Sequence, residues 1–449
     1  MSQLPVSSSP GSDHSGRAPA PSYHSSLGIG PTPSYTRNVR PTEEVIARGA
    51  ATRRLNGVYN KPGKLVSVSL NGQEPNCTLP MFGRGVLVEG IVTLDAEAAR
   101  NALQLDITIE GDMKLLIAEG GTITHPLLSV SIPLFYSTTP TTCSETHPFS
   151  CRLPTRFDDS GTQRPLPPTY EVNFPGVPGI RAAVRYWMTV RLVRKKIWRR
   201  KELVTVPFKY YPRARPPQPI VGLSFLSSIK SHPEEWSSFT STIAPRNPRS
   251  NARITSSFVL PSTAVFPMSR KIPFHLQLSL DPPPSSLTPE TNPEPASPTK
   301  QSTPAPAPTL ISSLLTSQAV VKVTLQRQIS VDVRNQRVLK SVVCGEGYMH
   351  RVRLSSNSST NGESSGSTSS SQMSQQDWAG WEGEVIPSKQ INVGGFRAAG
   401  LTIRDFIMLT LIPPNPQTSP LRAHQHAVPV RIVTDAWEGD EEALGTLGN

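Results

Sequence analysis

Strict alternation of apolar and polar residues is the strongest constraint on how this chain folds. In LQLDITIEG (103–111), Leu103, Leu105, Ile107 and Ile109 alternate with Gln104, Asp106, Thr108 and Glu110. Successive side chains of a strand point to opposite faces, so this period of two marks a half-buried antiparallel strand. AVVKVTLQRQISVDV (319–333) repeats the pattern: Val321, Val323, Leu325, Ile329, Val331 and Val333 share one face, and only Arg327 breaks it. Further runs read as strands at 86–94, 127–135, 180–194, 202–210, 253–260, 272–280, 340–347, 402–414 and 427–437. The Ala-rich DAEAARNA (95–102) reads as one helical turn or a loop. The 47 prolines point the same way. Proline is poorly tolerated inside helices and is confined to edges and turns in sheets.

Two strand-rich stretches flank YPRARPPQP (211–219), a proline-dense segment suited to a stiff connector. The expected fold class is all-β: two immunoglobulin-like antiparallel β-sandwiches in tandem, over 60–215 and 216–434. Residues 1–59 are rich in Ser, Pro and Gly and read as a disordered tail. Residues 281–310 hold ten prolines in thirty, and 355–377 hold eleven serines in twenty-three. Neither composition packs as a strand, so both read as low-complexity inserts looped out of the second unit. Residues 435–449 read as an acidic tail carrying Asp435, Glu438, Asp440, Glu441 and Glu442. It is either solvated or docked on a basic patch of the body.

The formal charge is +12, which favours acidic partners such as lipid headgroups, phosphorylated tails or nucleic acid without choosing among them. Cys77, Cys143, Cys151 and Cys344 form no CxxC pair, which fits a reducing compartment better than a disulfide framework or a zinc site. The N-terminus has no apolar signal-peptide core, and no apolar run reaches membrane-spanning length. The expectation is a soluble cytoplasmic protein.

The order of the segments resembles that of the arrestin family. LPPTYEVNFPGVPGIRAAVRYWMTVRLVR (166–194) looks like the late part of an arrestin amino-terminal domain, and KKIWRRKELVTVPFKYYPRARP (195–216) like its closing hairpin and final strand. VLVEGIVTLDAEAARNALQLDITIEGDMKL (86–115) resembles the early strand pair, in which a glycine-containing strand precedes a strand ending in Gly. ITSSFVLPSTAVFPMSRKIPFHLQLSL (254–280) resembles the opening of the carboxy-terminal domain. FRAAGLTIRDFIMLTLIPP (396–414) and AVPVRIVT (427–434) resemble its last strands. The inserts are similar to those of the fungal alpha-arrestin type.

This resemblance implies two sandwiches without catalysis or cofactor. It also implies an adaptor that binds membrane cargo such as transporters or receptors, acting as a monomer peripheral to the plasma membrane or endosomes. A coat or scaffold subunit of the retromer kind, with the same double sandwich, is the alternative. Alpha-arrestins commonly recruit WW-domain ubiquitin ligases through proline-proline-any-tyrosine segments, usually in a tail after the second domain. The residues after the last strand here hold no such segment.

One such tetrapeptide, Pro167-Pro168-Thr169-Tyr170, lies elsewhere. As a free polyproline II segment it would fit a WW groove. As the lead-in to a strand it would bury Tyr170, with stabilisation of roughly 2 kcal/mol. The family resemblance favours the strand. PAPSY (19–23) and PTPSY (31–35) are degenerate versions.

The candidate hairpin tip RKKIWRRK (194–201) carries Arg194, Lys195, Lys196, Arg199, Arg200 and Lys201 around Trp198. A basic stretch with an aromatic suits an anionic bilayer or a phosphopeptide, and otherwise is a solvated turn. No zinc finger, helix-turn-helix or RNP pattern supports a nucleic-acid partner. Thr288, Ser297 and Thr303 each precede proline and are candidate phosphoacceptors.

Enzyme signals are weak. GESSG (362–366) fits G-x-S-x-G around Ser364, but within a serine tract rather than a strand-turn-helix. His424 and His426 lack a third ligand at metal spacing and read as exposed loop histidines.

Overall fold

The computed structural model describes residues 56–137, 142–195, 201–220, 231–247, 253–281, 319–352 and 378–437, with Phe225, Ile229 and Ile311. The described chain is almost entirely β. In the first half the strands are β1 (Gly57–Lys61), β2 (Val66–Gln73), β3 (Met81–Phe82), β4 (Leu87–Leu94), β5 (Ala102–Ile117), β6 (Gly121–Tyr136), β7 (Thr146–Arg152), β8 (Arg156–Asp159), β9 (Thr162–Pro165), β10 (Tyr170–Phe174), β11 (Ile180–Arg194) and β12 (Lys201–Tyr210). The Ala-rich segment forms the helix α1 (Ala96–Arg100), and the Asp95 carboxylate caps it by accepting from the Glu97 N–H at 3.1 Å. β1 begins ahead of residue 60, where the first unit was expected to start.

These strands form two facing sheets. One runs β1-β2-β4-β7, and the other runs β3-β12-β11-β5-β6. β12 and β10 share one edge of β11, taking Tyr186–Val193 and Ile180–Val184 respectively. The alternation in β5 does what it predicts: Leu105, Ile107 and Ile109 are fully buried. The strand does not end at Gly111 but runs on to Ile117. Gly111 lies under the Tyr186 ring, which a Cβ there would strike.

The second half contains β13 (Trp236–Ile243), β14 (Arg253–Pro261), β15 (Val265–Pro267), β16 (Ile272–Asp281), β17 (Val320–Val333), β18 (Gln336–Val352), β19 (Trp378–Pro387), β20 (Arg397–Ala398), β21 (Leu401–Ile412) and β22 (His424–Val433). They make one continuous sheet in the order β13-β14-β16-β19-β18-β17-β21-β22-β15. The sheet curls until its ends approach, with a bridge between Pro245 and Leu421. Its two arms pack on each other through Ile254, Phe258, Leu276, Ile407 and Leu409.

The apolar cores do not divide where the proline-dense connector does. Ile329, Val331, Val333, Val338, Val393, Ala398, Ala399, Leu401 and Ile403 belong to the core of the first half. The β17–β18 hairpin carries four of them across. It turns through Arg334 and Asn335, both at positive φ (52° and 66°), as a two-residue hairpin turn requires. The connector is held at both ends: the Tyr211 N–H donates to the Phe82 carbonyl at 2.8 Å, and the Ala214 N–H to Thr434 Oγ1 at 2.8 Å. Residues 1–55, 282–310 and 353–377, where the tail and inserts were expected, lie outside the described residues.

Candidate functional site

β17 and β21 each pass from one core to the other. On β17, Val323 and Leu325 lie in the second core and Ile329, Val331 and Val333 in the first. On β21, Ile407, Leu409 and Leu411 lie in the second core and Leu401 and Ile403 in the first. Between the two sets sits one charge on each strand, Arg327 and Asp405, directly opposite in the register. Arg327 is 5% exposed and Asp405 2%. The guanidinium grips the carboxylate with two bonds, Nε to Oδ1 at 2.7 Å and NH2 to Oδ2 at 3.0 Å, and donates to the Val393 carbonyl at 2.9 Å. Burial works against the guanidinium charge. The Asp405 hydrogen bonds and charge outweigh it and hold the group above its ordinary pKa.

Tyr170 brings the first half to this seam. Its ring meets Phe396 edge-on at 5.7 Å. Burial, chiefly, pushes its phenol up to about 12, and the Arg327 charge lowers it only in part. The WW-ligand reading of the tetrapeptide is therefore overturned: Pro167, Pro168 and Tyr170 are all buried. The Pro167 carbonyl accepts from the Tyr186 hydroxyl at 2.7 Å. The Thr169 N–H donates to the Tyr210 carbonyl, and the Tyr210 N–H returns a bond to Thr169 Oγ1, both at 2.9 Å. These bonds lock the end of β12 to the start of β10, so none of the tetrapeptide is free to enter a groove.

The basic tip is only partly as expected. Arg194 faces inward with Leu192 and Val190 on the same side of β11 and is 7% exposed, so its head is not offered to lipid or phosphate. Lys195 and Lys201 are exposed. Lys196, Trp198, Arg199 and Arg200 lie outside the described residues, as do Thr288, Ser297, Thr303 and Ser364.

His424 and His426 are not loop residues. They open β22, half-buried, and Ser241 Oγ lies 2.9 Å from His424 Nε2. Burial lowers both imidazole pKa values, and the second ring adds to the effect at His424. Asp435 does not sit in a solvated tail. Its carboxylate takes Arg213 Nε at 3.0 Å and NH2 at 2.7 Å, tying the connector to the end of β22. The other acidic residues beyond 437 lie outside the described residues.

A second surface has no local mark in the sequence. The solvent face of the β12-β11-β5-β6 sheet is ordered by side-chain pairs. Glu171 joins Arg181 at 2.8 Å and Arg185 at 3.1 Å, and the Arg181 bond holds its carboxyl below the usual range. The Trp187 indole donates to Glu110 at 3.0 Å, and Arg191 reaches Asp106 at 3.1 Å. Thr205, Thr189, Thr108 and Ser131 form a row across four strands between the last two pairs. Lys114 and Lys209 stand exposed on the same face. Among the described residues no group of three or more His, Cys, Asp or Glu is placed to hold a metal, and no helix is long and apolar enough to cross a membrane. Comparison with known protein-family models finds no match, and neither does comparison with curated proteins.

Proposed function

We propose that this chain is a non-enzymatic adaptor of the arrestin-like kind that holds cytosolic segments of membrane proteins, transporters or receptors, during sorting or endocytosis. The observation that carries the reading is the ordered solvent face of the first-half sheet. Its side chains are pre-positioned by ion pairs on long, paired strands, and cations outnumber carboxylates across it. Such a face suits recognition of acidic or phosphorylated tails, because little side-chain freedom is lost on contact. The buried seam supports the reading by joining the two halves of the frame behind that face. Exposed Lys195 and Lys201 add contacts to anionic lipid at the plasma membrane or endosomes. Any ligase link runs through a segment other than Pro167–Tyr170.

Proximity labelling with the full chain as bait tests this proposal. Enrichment of polytopic membrane proteins over soluble controls, reduced by Arg181→Glu with Arg185→Glu, is expected. A chain that instead purifies in a fixed stoichiometric complex, with no membrane-protein enrichment, would support the retromer-like coat subunit.

A further inference from the structure

The curled second sheet closes between β13, its first strand, and the edge of β22 ahead of β15. No strand ladder joins the two among the described residues. Three backbone links hold them: the Pro245–Leu421 bridge, the Arg422 N–H to the Ala244 carbonyl at 3.1 Å, and the Arg246 N–H to the Pro420 carbonyl at 2.7 Å. The Arg246 guanidinium adds bonds to the Ser419 and Pro416 carbonyls. One side-chain contact continues the closure along the strands, Ser241 Oγ on β13 with His424 Nε2 on β22 at 2.9 Å. Each arm is firm on its own side. β13 is paired with β14 over its whole length, and β22 with β21 from His424 to Val430. His424 and His426 share one face of β22, opposite Leu411 and Leu409 of β21, which lie in the second core. Their ring centroids are 6.5 Å apart, and His426 Nδ1 is buried without a hydrogen-bond partner.

We infer that this closure is an acid-sensitive latch, held while both imidazoles are neutral and opened reversibly when they take up protons. An imidazolium carries a hydrogen on each nitrogen, and each needs an acceptor. Ser241 can accept from His424. His426 Nδ1 has no acceptor where it lies, and a buried donor left unpaired is costly. Two neighbouring cations also repel more strongly in half-buried surroundings than in water. Nothing acidic offsets them. The residues set against these rings are Leu409, Leu411 and Ser241, and the charged side chains of the closure, Arg246 and Arg422, are themselves cations. Among the described residues no carboxylate acts on either ring. Burial lowers both imidazoles, and opening admits water, so the open form binds protons first. The latch is therefore complete above pH 6.5 and lost as pH falls through the folded values. Parting the arms breaks few hydrogen bonds and leaves both flanking ladders in place. It wets Ile243, Leu421 and Val428, now buried at this end of the second core, while the rest of the frame stays folded.

Hydrogen–deuterium exchange of the full chain tests this inference, read by mass spectrometry at about pH 7.5 and about pH 5.5 and corrected for the intrinsic pH dependence of exchange. Peptides covering 236–247 and 419–430 should lose protection about tenfold or more between the two conditions. Each proton taken up on opening multiplies the open fraction by up to about ten per pH unit. Peptides of β5 and β11 should not change. His424→Gln with His426→Gln should abolish the acid response of the closure peptides. Constant protection of those peptides on acidification overturns the inference. So does a loss of protection in β5 and β11 in step with the closure, or an acid response that the double variant keeps.

Discussion

Replacing Asp405 with leucine should destabilise the protein far more than replacing both members of its pair. Asp405 is fully enclosed and supplies two of the three hydrogen bonds that the Arg327 guanidinium makes. In Asp405→Leu the cation keeps only the Val393 carbonyl, in a place water does not reach. Leaving a buried charge uncompensated costs about 3–5 kcal/mol. For a chain of this size, about 2 °C of melting temperature is lost per kcal/mol, so the midpoint should fall by about 6–10 °C. Arg327→Met with Asp405→Leu removes both charges and restores an apolar stripe along β17 and β21. That double variant should match the parent or exceed it by about 1–4 kcal/mol. Differential scanning calorimetry at one scan rate checks both. If the single and double variants melt together well below the parent, burial of an unpaired charge is not what the seam guards against. If Asp405→Leu melts with the parent, the pair is not enclosed.

A WW domain should bind a free peptide covering 162–174 and ignore the folded protein, as fluorescence anisotropy would show; equal binding to both would place Tyr170 in solvent. Tyr170 has a folded pKa of about 12, above its unfolded value of 10, so its contribution is complete below pH 10 and lost as pH rises through 12. Burial also raises Tyr186 and Tyr211, so absorbance titration should find a late-ionising group of tyrosines that Tyr170→Phe makes smaller by one. The imidazoles act in the opposite sense. His424, His426 and His275, the last stacked on Phe225 at 4.3 Å, all have folded pKa values below 6.5. The unfolded chain binds protons first, so stability is full above pH 6.5 and falls as pH drops through the folded values. His424→Gln with His426→Gln should flatten part of that loss in melting curves between pH 7 and 5. Charge reversal at Lys195 and Lys201 should reduce co-sedimentation with vesicles containing phosphatidylserine, by about 1 kcal/mol per cation removed from the contact. No change would make the tip a solvated turn.

Much of the sheet framework is legible in the sequence because alternation and burial coincide. β5, β11, β17 and β21 can be read directly, and so can the break at Arg327. The matching break at Asp405, in Leu401, Ile403, Asp405, Ile407 and Leu409, was equally readable. Two isolated opposite charges on otherwise apolar faces are the sequence signal for the pair. Arg194 reads as part of an exposed basic run because its neighbours are basic, although the alternation through Val190 and Leu192 places it inward. The His424–Val433 strand opens on RAHQHAV, whose polar residues mask its start. β18 hides its length because the register shifts near Cys344 and two glycines follow, which interrupts the period. The ordered face depends on cross-strand neighbours far apart in sequence, such as Arg191 and Asp106, and no local pattern marks them.

The position of the ion pair bears on how the two halves can act together. A frame of two independent sandwiches would concentrate motion in its connector. Here the connector is bonded to Phe82 at one end and to Thr434 and Asp435 at the other. The cores themselves meet on continuous strands, β17 and β21, that serve both. Moving one half against the other therefore requires bending these strands where the apolar stripe changes core, at Arg327 and Asp405. Distorting that point stretches two charge-assisted hydrogen bonds with no water at hand to replace them. Directional bonds placed at the change of core thus resist bending where leucines would only slide, which accounts for a charge pair at the one place an alternating apolar strand has least reason to carry it.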